Sequence, residues 1–556
     1  MRRRLRADVG RGGSLADWLN QRLHRLSWRT PIHGLRLRGR YPLQLLDVPA
    51  DPIPGRARAG RALAEGQMMF GAEQVSLDAL GRGGFSQAFA DHLQSFAWAR
   101  DLAAAVPREA GAKIAEKLTQ GWLDLNAHVV ADPAWRPDLW GWRILFWTAY
   151  APYILGSRDA DYRKDVLNAL ARGARHLDRA ADSVEPGLPR VVAWAGVIAA
   201  GLLIPGGDLR VAHGEAGIAR ALAQAMHEDG GLATRSPAMQ LALVELLAQL
   251  RAVYEVRARP LPLAVQRALA RAVPALIGVT LGDGALSSWQ AGGPASAARV
   301  QAAVAASGVR PSALVEVRAW GYQRLVAGTS VMVVDAAPPP AGALVRGGCA
   351  STLAFELSDG AQRLVVNCGG GPALPPELAE GLRTTAAHST LVLADTNSTA
   401  LHPDGTLGKG VTEVELERRD TADGLLIDGV HDGYVRRHGF RHGRRMLLAA
   451  DGRMLSGEDR LVPAGRRRAP AATRFEIRFH LAPSVEAVLT AAARGALLRP
   501  PSGEAWQFRA DGGTLAIEES LWIDSLGRPR ASQALVLSGE TPPDGAAVGW
   551  SLRKVR

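Results

Sequence analysis

At 556 residues the chain exceeds the roughly 250 to 300 at which a single hydrophobic core stops growing, so at least two domains are expected. Its 47% hydrophobic and 22% charged residues exclude a disordered or fibrous protein. Sixty-six Lys and Arg against 54 Asp and Glu leave a formal charge of +12, which suits polyanions such as acidic polysaccharide, nucleic acid or anionic lipid and equally fits an Arg- and Ala-rich coding bias.

The N-terminal stretch "MRRRLRADVGRGGSLADWLNQRLHRL" begins with positive charge but lacks the apolar run, roughly 7 to 15 residues long, that completes a signal peptide. No classical export signal is read, which on sequence alone points to the cytoplasm. From Ser86 to Val309 apolar residues recur three and four apart in successive segments, including "FADHLQSFAWARDLAAAV", "DLWGWRILFWTAYAPYIL", "DYRKDVLNALARGARHLDRAA", "RVVAWAGVIAAGLLI" and "MQLALVELLAQLRAVYEV". Short gaps containing Gly, Pro or Asp imply antiparallel helical hairpins, stacked as a bundle, a solenoid or a closed ring. The run Val191 to Ile204 is too short to span a bilayer and is expected to be a buried helix. Trp98, Trp135, Trp140, Trp142 and Trp147 sit at helical spacing in apolar context, so most are expected in the core. "HEDGG" (His227 to Gly231) is expected to be a turn.

A Gly-, Ala- and Ser-rich stretch, Ser287 to Ser312, is expected to be the linker. Beyond it the period falls to two. "TSVMVVDAA", "STLAFELSDGAQRLVVNCGG", "HSTLVLAD" and "RFEIRFHLAP" alternate, punctuated by Asp-Gly turns, as in an antiparallel β-sandwich. The boundaries are a lead-in over 1–85, a helical domain over 86–309 and a β-sandwich domain over 310–556. Cys349 and Cys368 lie among these strands and could be neighbours, but two cysteines make neither a disulfide framework nor a zinc motif.

A helical half joined to a sandwich carrying "RTTAAHSTLVLAD" (Arg383 to Asp395) resembles the heparinase II/III-like family of polysaccharide lyases. Six further stretches fall in the expected order: "LQSFAWARDL", "HEDGGLATRSPAM", "LGDGALSSW", "HDGYVRRHGFRHGRRMLL", "GEDRL" and "RFHLAP". The resemblance implies a multidomain α+β chain, with an N-terminal α/α toroid (an incomplete barrel of helical hairpins) followed by a C-terminal antiparallel β-sandwich. It also implies an acidic polysaccharide in the groove between them, β-elimination beside a uronic acid, and a place in the cell envelope or periplasm. That reaction needs donors or positive charge on the uronate carboxylate, a base for the C5 proton and an acid for the departing oxygen.

On the resemblance, His388 falls on the family's sandwich histidine, and Tyr434 is the nearby acid or base. As a strand, "HSTLVLAD" puts His388 on the face away from Leu391 and Leu393, and "HDGYVRRHG" puts Tyr434 beside Arg436 and His438. Arg383, Arg190 and Arg235 are candidates for the uronate carboxylate, and His442 and Arg445 for a widened basic surface. In "RFEIRFHL" Phe475, Ile477, Phe479 and Leu481 share one face, leaving His480 on the other as a further substrate-binding candidate. Each has a bland counterpart: a hydrogen-bonded histidine, a capping arginine, a packed tyrosine. Where active relatives offer an Asn-His pair and then a tyrosine, this chain has Leu188, Pro189 and Arg190, and then Met239. Methionine cannot transfer a proton. No metal is carried over, since Thr390 stands two after His388 and no second ligand is evident. No cofactor and no nucleic-acid partner are expected, and oligomeric state is not legible. Two functions remain: a lyase acting through His388 and Tyr434, or a catalytically degenerate relative that binds acidic polysaccharide.

Overall fold

The computed structural model describes residues 3–7, 28, 31–42, 44–314, 317, 319–340, 347–464, 472–490, 494–501 and 504–555. The lead-in carries strand β1 (Arg3–Arg6), short helix α1 (Pro31–Arg36), α2 (Ala57–Ala64) and the hairpin β2–β3 (Gln67–Phe70, Glu73–Ser76). Trp28, Leu37, Ile53, Leu63 and Met68 bury themselves in the same core as the helices that follow, while β1 pairs with a strand of the sandwich, so the lead-in is divided between the two bodies.

The helical body comprises α3 (Gln87–Ser95), α4 (Trp98–Ala105), α5 (Arg108–Asn126), α6 (Pro137–Ala149), α7 (Ala151–Ile154), α8 (Ala160–Ala180), α9 (Leu188–Leu203), α10 (Asp208–Ala225), α11 (Pro237–Val256), α12 (Leu263–Ile277) and α13 (Ala297–Ser307). Inner helices α6, α9 and α11 pack in succession, with α8, α10 and α12 outside them, forming the α/α toroid. Every residue of α9 from Val191 to Leu203 is buried, as its unbroken apolar run requires. α6 and α9 cross at Gly141 and Gly196, where a Cβ on Gly141 would lie 2.3 Å from the Val192 carbonyl oxygen.

Two helical segments differ from the sequence reading. Phe89 to Val106 breaks into α3 and α4 at Phe96, whose left-handed φ of 65° ends the first helix. The sequence reading missed α5, whose buried face is Gly111, Ala115 and Thr119 in its first turns and Trp122 and Leu123 only toward its end. The expected linker is also corrected. Trp289 is buried and Ala297–Ser307 is helix α13, capped by the Ser296 hydroxyl and packed on α11. Trp98, Trp135, Trp140 and Trp147 are core residues as expected. Among the described residues no helix is long and apolar enough to cross a membrane.

The sandwich has a nine-stranded sheet in the order β1-β9-β10-β11-β12-β19-β16-β15-β14 and a second sheet in the order β17-β18-β13-β7-β6-β5-β4, with β8 also on β13. The strands that matter below are β4 (Tyr322–Ala327), β5 (Ser330–Asp335), β6 (Phe355–Asp359), β7 (Gln362–Val366), β8 (Leu391–Leu393), β9 (Glu413–Thr421), β10 (Gly424–His431), β11 (Phe440–Ala449), β12 (Met454–Pro463) and β13 (Thr473–Leu481), followed by β14 to β19 (Glu486–Leu489, Gly495–Arg499, Trp506–Asp511, Thr514–Ile523, Pro529–Thr541, Ala546–Lys554). The inward faces of both sheets, including Phe355, Ile427, Met446, Phe479 and Trp550, make its core.

Candidate functional site

Polar residues fasten the toroid to the sandwich. Asp229, in the expected His227 to Gly231 turn, accepts the amides of Ala319 and Trp320. Arg235 follows at a left-handed φ of 55°. Its guanidinium, 3% exposed, donates to Asp335 at 2.5 Å and to the carbonyls of Trp320 (2.9 Å), Ala337 (3.3 Å) and Pro338 (2.6 Å). Asp335 ends the wholly buried β5, and its other oxygen accepts from Ser351. The group offered for a uronate carboxylate therefore already holds a carboxylate of the chain itself.

Deeper in the junction, Glu356 on β6 accepts from the Ser288 and Asn367 amides. Burial pushes its carboxyl up to about 7, against the lowering pull of Arg363. Arg363 in turn donates to Asp283 and to the Leu286 carbonyl.

His388 does not begin a strand. It follows a 3-10 turn, Thr385–Ala387, and β8 starts only at Leu391. The face away from Leu391 and Leu393 is as buried as the leucine face, leaving His388 2% exposed. Its Nδ1–H donates to the Thr384 carbonyl at 2.7 Å, and burial above all pulls its pKa down to about 4. His480 lies opposite the Phe475 to Leu481 layer, as alternation requires, and is also buried. Its Nε2 donates to the Ala386 carbonyl at 2.8 Å, so Nδ1 is the acceptor for the Ser520 hydroxyl at 2.8 Å, with the Cys368 sulfur 3.5 Å away. Burial lowers its pKa to about 4 as well.

Tyr434 corrects the strand reading more fully. It is the residue before a one-turn helix, α15 (Val435–His438; α14 is Pro376–Gly381), because Gly439 closes that turn in the left-handed region. Its ring, 1% exposed, belongs to the sandwich core, its hydroxyl donates to the Leu391 carbonyl at 2.8 Å, and burial raises the phenol well above its usual range.

Arg383 is buried and donates to four carbonyls, those of Gly348, His402, Gly405 and Thr406, tying two loops together. His442 is no surface group. It lies in the sandwich between His431 (3.0 Å) and Asp459 (2.7 Å), and Asp459 also takes Arg444 and the Trp550 indole N–H. Arg445, the next residue but two, does face solvent, with Asp428 and Glu458 as its cross-strand neighbours. Arg190, in the first turn of α9, donates twice to the Val184 carbonyl and once to Gln224. Met239 occupies the first turn of α11, and the neighbouring Gln240 is spent on the Leu232 amide and the Gly230 and Ala272 carbonyls.

Cys349 meets the Ala291 amide while Cys368 meets His480, and both are free thiols whose burial raises them to about 11. Among the described residues no cluster of three or more His, Cys, Asp or Glu could hold a metal ion. Sequence reading missed Asp335, Asp229 and Glu356. Asp335 alone left a signal, an acid closing an otherwise apolar strand.

Residues 309–551 match the family model for the heparinase II/III-like C-terminal domain. FtsZ-localized protein C of Caulobacter vibrioides is 31% identical over 561 residues, covering 97% of this chain and 93% of that protein. Among solved structures, heparinase III superposes with a TM-score of 0.70 at 13% identity, over 97% of this chain and 91% of the other. Heparan sulfate lyase HepC of Pedobacter heparinus gives 0.58 at 14%, over 97% and 88%. Chondroitin AC lyase of Streptomyces coelicolor, in complex with chondroitin sulphate, gives 0.52 at 11%, over 96% and 82%. At such identities these structures share the fold alone.

Proposed function

Because the chain belongs to the heparinase II/III-like family, we propose that it is a member that keeps the lyase architecture for binding and does not cleave, and that it works where FtsZ is. Acidic polysaccharide is the polymer that the fold and the +12 charge suit best. One observation carries the non-cleaving reading. Four of the five N–H donors of the Arg235 guanidinium are taken by Asp335 and three carbonyls and the group is buried, so its charge is already met before any uronate arrives. The burial of His388 and Tyr434, each donating to a backbone carbonyl, supports the same reading, because a base or acid must come within hydrogen-bond reach of the sugar. The FtsZ location is supported by identity that runs nearly the whole length of both chains.

The test incubates purified protein with alginate, heparan-type and bacterial uronate polymers and follows ultraviolet absorbance of the unsaturated product. No absorbance, with polymer retained in a pull-down, is expected. A fluorescent fusion expressed at native level is expected to overlap FtsZ, and a fusion spread evenly through the cell contradicts that half of the reading. An active lyase is the second reading, favoured by one atom: Nε2 of His388 has no hydrogen-bond partner among the described residues. Product formation that disappears in His388→Ala supports it.

A further inference from the structure

A groove runs along the outer face of α8, walled on its other side by residues 34–42 and 44–48. Three hollows of about 690, 350 and 530 Å³ open into it, and Tyr41 lines all three. The first holds Arg38 and Arg172, the second Arg40 and Arg175, the third Arg163 and Lys164. Arg163 and Arg175 are twelve residues apart on one helix, about 18 Å at the usual rise.

These cations are not answered by acids. Arg172 donates to the Ala127 carbonyl, Arg175 to the Leu37 and Arg40 carbonyls, and Arg163 to the Ser157 carbonyl. Among the described residues no carboxylate pairs with any of the six; Arg210 at the margin is the exception in this groove, held by Asp178. Burial first, then the charges of Arg38 and Arg175, pulls Arg172 below its usual pKa, and Arg175 is lowered by burial, Arg210 and Arg179 despite Asp178. An incoming carboxylate relieves that repulsion.

The third hollow is different in kind. Leu45, Val48, Leu155 and Leu167 line it, and Val48 is exposed. Sugar hydroxyls find few partners on such a wall, and a flat lipid surface cannot follow a concave one. A peptide can do both, setting carboxylates on the arginines and burying apolar side chains in the hollow. We propose that this groove docks an acidic segment of a partner protein that also carries large apolar side chains. That partner need not be FtsZ, and the polysaccharide has no part in this contact.

A phage-displayed library of random peptides, selected on the intact protein, tests this. Enriched sequences are expected to combine Asp or Glu with Leu, Ile or Phe. Synthetic copies followed by fluorescence anisotropy should lose about tenfold or more in affinity for Arg38→Glu/Arg40→Glu and for Val48→Asp. An unchanged thermal midpoint checks that each variant is folded. Enriched peptides without acids, or with equal affinity for wild type and variants, overturn the proposal. So does a heparin-type oligosaccharide or an anionic phospholipid vesicle whose binding drops in these variants while peptide binding does not.

Discussion

Arginine does opposite work at the domain junction and on the outer groove. At the junction Arg235 and Arg363 are buried and met by Asp335 and Asp283, so their charge is consumed in holding two domains together. On the groove Arg38, Arg40, Arg172 and Arg175 lie together, and among the described residues no carboxylate forms an ion pair with any of them. The buried Arg235 offered for an anion already meets the protein's own Asp335, while the arginines of the outer groove have no carboxylate pair among the described residues. Net charge alone does not separate the two; partners do.

The largest break in this contrast is expected at the junction. Arg235→Ala leaves Asp335 buried without its cation and is predicted to cost about 3–5 kcal/mol of stability in urea unfolding. The toroid and sandwich are then expected to unfold in separate transitions.

Acid acts on both bodies next. His92, His176, His388 and His480 are buried neutral, held at about 4, 3, 4 and 4 against an ordinary 6.5. Their lowered values mean the unfolded chain binds protons first, so this contribution is whole above 6.5 and is lost as pH falls toward 4. Each histidine adds about 1.4 kcal/mol per pH unit to that slope. Glu356, raised to about 7, acts in the opposite sense between 4.5 and 7 and is outnumbered. Urea midpoints measured from pH 7.5 to 4.5 are expected to fall steadily.

Tyr434→Phe removes one buried hydrogen bond to Leu391 and is predicted to cost about 1 kcal/mol, with polymer retention unchanged. Arg38→Glu/Arg40→Glu sharpens the contrast from the other side. Both side chains are exposed and, among the described residues, form no ion pair, so stability is expected to stay within about 0.5 kcal/mol.

Period and punctuation made the two-body fold legible. The period of 3.6 in α8 and the alternation of Phe475 to Leu481 each reflect one buried face, while α6, α9 and α11, buried nearly all round, were legible from their long apolar runs. α5 was not legible, since small residues, Gly111, Ala115 and Thr119, fill its buried face until Trp122 and Leu123 near its end. The candidate site was legible as a set of residues but not as a set of partners. Alternation put His388 off the leucine face correctly, yet nothing local records that the other face is buried as well. Tyr434 was read as strand because Gly439, five residues on, sets a helical turn that the flanking β-rich context hides. Arg235 and Asp335 lie 100 residues apart, and no spacing rule connects them.

The most direct test is the titration of the His388 imidazole, followed by NMR with specific labelling, in the free protein and with a uronate polymer at saturating concentration. A pKa near 4 that the polymer does not move is the result predicted for a sealed imidazole in a protein that binds and does not cleave. A value near 6.5, or one that climbs when polymer is added, contradicts it and places that ring in contact with substrate.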